Sequence, residues 1–88
     1  MLLFIDLLLF GLAGLIFTTV IGIIGLTEVQ NKLQEDDALY GEIVDKQSHT
    51  VTIAEIDDQG DLIQNQQLES EEGVSDDLYK NQIIYAYE

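Results

Sequence analysis

The sequence predicts a single N-terminal transmembrane α-helix followed by a small, mostly-β domain, a four-stranded antiparallel sheet or a half-open SH3- or OB-like barrel. Three observations predict it. Leu7 to Leu26, LLLFGLAGLIFTTVIGIIGL, runs for twenty residues without a charge. Beyond it the chain is strongly acidic: 16 of the 17 Asp and Glu residues and all three lysines fall in residues 27–88. From Leu39 onward, β-branched residues alternate with polar ones at the period of a strand. The chain accordingly divides into a membrane helix over 1–26, a helical stalk or hinge over 27–38 and an acidic β-domain over 39–88.

The first element follows from length and hydropathy. Twenty helical residues at about 1.5 Å each reach about 30 Å, the hydrocarbon thickness of a bilayer. Asp6 marks the edge of the run, and the threonines can return their hydroxyl bonds to a helix backbone. Glycine is a poor helix former in water, so four of them in this stretch need a reason. Gly11, Gly14, Thr18, Gly22 and Gly25 are spaced by 3, 4, 4 and 3 residues. At about 100° per residue they fall within an arc of about 80°. Such a stripe of small residues lets a second helix approach closely in lipid, so these five are the expected helix-packing face. The implied setting is the plasma (inner) membrane, single-pass, in contact with lipid and with another transmembrane helix, from a second copy or a complex subunit. One lysine past the span, Lys32, leaves the side of the C-terminal domain open. The alternative is a secreted acidic binding or inhibitor protein released by signal-peptide cleavage. Against it, the N-terminus has no Lys or Arg and no A-x-A-like site follows the apolar run.

The second element is a short helix. Leu26, Val29 and Leu33 recur at helical spacing, and Glu28 and Lys32 make a favourable i,i+4 pair. Glu35, Asp36 and Asp37 oppose the helix dipole and stop it. Strands follow over Leu39–Asp45 and Thr50–Ile56, joined by a loop carrying His49, and over Asp61–Leu68 after a turn whose left-handed position goes to Gly60. Ser75 with Asp76 and Asp77 has the look of a helix start, and residues 82–87 close the chain as a fourth strand. The expected core is Leu39, Ile43, Val51, Ile53, Ile56, Leu62, Leu68, Val74, Leu78, Ile84 and some of the tyrosines.

The order Gly41-Glu-Ile-Val, Val51-Thr-Ile with Asp58-Gln-Gly60, then Leu78-Tyr-Lys-Asn-Gln82 running into Ile83-Ile-Tyr-Ala-Tyr87 resembles small β-domains tethered to bacterial membrane helices. The C-terminal barrel of NfeD-like proteins is among them. The resemblance rests on turn placement over about 50 residues and implies an architecture, not a set of functional residues. Asn81 stands where such families often have glycine, and Asn tolerates the left-handed conformation.

Composition narrows the chemistry. A formal charge of −14 with three scattered lysines makes no stripe for a phosphate backbone, so nucleic acid is not an expected partner. There is no Cys, and the one histidine has no second at metal-ligand spacing, so neither a metal nor another cofactor is expected. Asp57-Asp-Gln-Gly-Asp61 fails the calcium-loop pattern, since Gly60 is its fourth residue and Leu68 its twelfth. No catalytic residue is expected: the serines lack a nucleophile elbow, and paired acids such as Glu71-Glu72 carry little information in so acidic a chain. Tyr85 and Tyr87 share one face of the last strand beside Ile83 and are candidate partner contacts. The expected function is therefore non-catalytic: a small acidic β-domain in protein–protein contact, with a basic protein surface as one candidate partner, as an accessory subunit of a membrane complex or a homo-oligomer.

Overall fold

The computed structural model describes residues 16–87. They form five strands and one helix: β1 (Ile16–Val20), α1 (Leu26–Glu35), β2 (Tyr40–Lys46), β3 (Thr50–Ile56), β4 (Leu62–Glu69) and β5 (Ile83–Tyr85). One sheet takes all five strands in the order β1-β4-β3-β2-β5. β2, β3 and β4 are an antiparallel meander, β5 adds to β2 antiparallel, and β1 adds to β4 in parallel.

The membrane helix is corrected here. Residues Ile16 to Val20, inside the expected span, are a strand whose partners run from Asn65 to Glu69. Among the described residues no helix is long and apolar enough to cross a membrane. Single-pass placement in the plasma membrane was inferred from that helix and is corrected with it. The physical reason is in the residues themselves: Ile16, Thr18, Thr19, Val20, Ile21, Ile23 and Ile24 are β-branched, and an apolar run alone does not distinguish a membrane helix from a sheet strand. The barrel is corrected too. The sheet is open, with β1 and β5 at its edges, and its fifth strand comes from the segment assigned to lipid.

The acidic half forms the helix and four strands its pattern suggests, with different bounds, but no helix starts at Ser75, where the chain makes turns instead. α1 buries Val29 and Leu33 fully. They join Ile43, Val51, Ile53, Leu68, Leu78 and Ile84 in one core, completed by Ile24, Ala38 and Ala86. The stretch from Thr27 thus lies down on the sheet. Its closest approach is at Gly41, where a Cβ would sit 2.6 Å from Ile53 Cγ2 and 2.9 Å from Leu33 Cδ2. The helix ends in a Schellman turn, with Ala38 N–H donating to the Leu33 carbonyl at 2.9 Å and Asp37 N–H to Gln34 at 3.2 Å. Asp37 takes the left-handed position there, at φ 59°.

A register shift separates Glu55 paired with Gln64 from Ile56 paired with Leu62. Leu39 and Leu62, both expected in the core, are exposed instead. The Asp57–Asp61 turn is closed by its own acid, since Asp57 Oδ1 accepts the amides of Gln59 and Asp61, each at 2.9 Å. Gly60 takes its positive φ of 86°. After Gly73 the chain runs under the sheet edge. Lys46 Nζ holds this segment by donating to the carbonyls of Ser75 at 3.2 Å and Leu78 at 2.6 Å.

Candidate functional site

Strand alternation decides what each face of the sheet can do. Gly41, Ile43, Val51, Ile53, Glu55, Gln64, Gln66 and Leu68 point toward α1. Tyr40, Glu42, Thr52, Ala54, Asn65, Gln67 and Thr18 point the other way, as the register requires. On that second face Ala54 and Asn65 are buried, and exposed side chains lie toward the β2–β5 end. At its β2–β5 end the Tyr40 and Tyr85 rings lie 5.5 Å apart, tilted by 48°. Tyr85 is 49% exposed and Ile83 46%. Glu42 stands between Ile83 on β5 and Ala54 on β3.

Two of the three lysines are committed elsewhere. Lys46 is paired with Val51, on the core side, and is held by the carbonyls of the Ser75–Leu78 segment. Lys32 sits on α1, 3.5 Å from Glu35 and 3.7 Å from Asp36. The predicted partner of Lys32, Glu28, is replaced in this role by the two acids on its C-terminal side. An aromatic and acidic patch remains at the β2–β5 end, bordered by Lys80 in the turn whose Asn81 amide donates to the Ile43 carbonyl at 2.7 Å.

The core face holds an ionisable group that sequence reasoning missed. Glu55 is fully buried. Gln64 Nε2 donates to Glu55 Oε1 at 3.0 Å and to Asp36 Oδ2 at 3.1 Å, so one amide bridges the end of α1 to the sheet. The Glu55 carboxyl is pushed up from 4.5 to about 8, first by burial and then by Asp36 through a hydrogen bond and its charge, against smaller opposing effects of Gln64 and Lys32. Oε2 faces no donor among the described residues. Burial with one oxygen unpartnered and Asp36 alongside favours the protonated form of this acid. The signal was present in Val51-Thr-Ile53-Ala-Glu55, where the alternation sets a glutamate at an inward position. Gln66 is buried beside it, with Nε2 bonded to the Phe17 carbonyl at 3.0 Å and Thr19 Oγ1 at 2.9 Å. A polar seam thus ties β1 to β4.

The residues expected to form a helix-packing face are dispersed. Thr18 is in β1, Gly22 is in the loop after it, and Gly25 is the N-cap of α1, where its carbonyl accepts the Val29 amide at 3.0 Å. A strand and a loop cannot present the predicted helical stripe. Gly11 and Gly14 lie outside the described residues. Tyr85 ends β5, while Tyr87 is beyond the strand and exposed. His49 is at the β2–β3 turn, 3.0 Å from Ser48 Oγ, beside a shallow depression of about 460 Å³ lined by Val20, Thr50, Glu69, Ser70 and Glu71. Among the described residues no three His, Cys, Asp or Glu side chains are grouped to hold a metal. No family model, no curated protein and no solved structure matches this chain.

Proposed function

We propose that the chain is a non-catalytic binding module that takes a basic protein surface on the second face of its sheet, at the β2–β5 end. The observation that carries this is the half-exposed Tyr85 ring, seated against Tyr40 beside Ile83 and Glu42, with Lys32 and Lys46 held away from it. Tyrosine gives a large rigid contact area with a polar tip, and an uncompensated acid beside it selects a cationic partner. A binding role also suits the one strongly perturbed acid. Glu55 is enclosed by α1 and the sheet, so no substrate can reach its carboxyl. The secreted alternative would remove β1 and the buried Ile24 with its signal peptide, and so cut into this fold.

The test compares capture from source extract by the wild-type chain, by Tyr85→Ala, by Glu42→Lys and by Asn31→Ala on exposed α1. Both face variants are expected to lose the protein that wild type and Asn31→Ala retain, by about tenfold or more. Its retention should fall as salt is raised. Capture that is indifferent to Tyr85 and Glu42 overturns the reading.

A further inference from the structure

The two edges of the sheet are treated differently. β5 has three residues, and α1 side chains guard it: Gln30 Nε2 donates to the Tyr85 carbonyl at 3.1 Å and Gln34 Nε2 to the Ala86 carbonyl at 2.6 Å. β1 has five residues and carries none of the usual edge protection, neither a lysine, nor a proline, nor a bulge. Its inner side is accounted for. Ile21 N–H donates to the Glu69 carbonyl at 2.9 Å, so by alternation the backbone groups of Phe17, Thr19 and Ile21 face β4. The amides and carbonyls of Thr18 and Val20 then point outward. Ile16, Phe17 and Val20 are exposed along this edge, Val20 by 70%, and Ile23 follows in the loop.

Charge decides what can cover this edge. The formal charge is −14, and every described element except β1 and β5 carries acids. Two copies meeting through most of their surface would stack carboxylate on carboxylate, which costs more than a rim of tyrosines returns. From Leu7 to Leu26 there is no charge at all. Among the described residues β1 is therefore the unguarded edge, and it is neutral.

We propose that β1 pairs antiparallel with β1 of a second copy about a two-fold axis, joining two sheets into one of ten strands. The outward amides of Thr18 and Val20 become ladder donors, and Ile16, Phe17 and Val20 are covered by their symmetry mates. Such an interface is self-complementary, as a two-fold requires. Salt screens the repulsion between the acidic bodies, so the dimer tightens as ionic strength rises, opposite to the dependence expected for a basic partner.

The experiment uses the full chain. Light scattering across a dilution series is expected to show a dimer that dissociates on dilution and persists to lower concentration in high salt. Thr18→Pro removes one outward donor and leaves the β4 side of the ladder intact, so it is expected to be monomeric where wild type is dimeric. Val20→Glu brings like charges together across the axis and is expected to do the same without altering the backbone. Tyr85→Ala, which tests the other face, should leave the dimer unchanged. Amide exchange on the wild-type chain gives a readout that no variant's folding can spoil: the Thr18 and Val20 amides should be protected in concentrated protein and lose protection on dilution. A wild-type monomer at all concentrations, fast exchange at Thr18 and Val20 throughout, or a dimer untouched by both β1 variants overturns the proposal.

Discussion

Replacing Glu55 with glutamine isolates a proton that the fold holds and the unfolded chain does not. Glutamine keeps the shape of the side chain. Its carbonyl can still accept from Gln64, and its amide can donate toward Asp36, but it cannot titrate. In the native protein the Glu55 carboxyl is pushed up to about 8 by burial, with Asp36 adding to the effect. In the unfolded chain it returns to 4.5. Between those values the native state binds the extra proton, so the stability contributed by neutral Glu55 is fully present below 4.5 and is lost as pH rises through about 8. The slope is about 1.4 kcal/mol per pH unit. From about pH 5.5 to about pH 7.5 the wild type should therefore lose about 3 kcal/mol relative to Glu55→Gln, a large part of the roughly 5 kcal/mol available to a domain of this size. Glu35, Asp36 and Lys32 surround the end of α1 in both proteins, so their contributions largely cancel in the difference. The assay is urea unfolding at constant ionic strength, followed by far-ultraviolet circular dichroism, for both proteins across that pH range. A stability difference that stays constant with pH would refute the protonated Glu55.

Two further predictions concern α1. Gly41→Ala puts a methyl group within 3 Å of both Ile53 and Leu33, so it should destabilise by about 1–3 kcal/mol in the same assay. Asp37→Gly relieves a left-handed residue at φ 59° and removes a negative charge from the helix C-terminus, so it should raise stability by about 1 kcal/mol, read as a higher urea midpoint at unchanged slope.

Much of the fold was legible where local chemistry and tertiary role agree. The β2–β3–β4 meander is visible in its alternation and in Gly60, and α1 in the spacing of Leu26, Val29 and Leu33. The failures have separate causes. Hydropathy reports that Ile16–Val20 avoids water, but not whether lipid or a neighbouring strand replaces it, and the pairing with Asn65–Glu69 is too distant in sequence to announce itself. The irregularity at Ile56 turned Leu62 outward, an offset that strict alternation cannot anticipate. At the candidate face, Tyr85 was readable as a strand residue beside Ile83. Its contact with Tyr40 required the β2–β5 pairing, and so did the placing of Glu42 beside Ile83. Glu55 was visible as a pattern violation, but its protonated state depends first on its burial in the folded protein and then on Asp36 arriving from the end of α1.

The parallel bond between β1 and β4 also sets an order of events. The Phe17 carbonyl is held by the Gln66 amide forty-nine residues further along the chain. On a ribosome, β1 must wait for β4, since among the described residues no closer strand pairs with it. The meander and its helix can close first on local contacts. Meanwhile the apolar side chains of β1 remain the part of the nascent domain that a chaperone would find and shield.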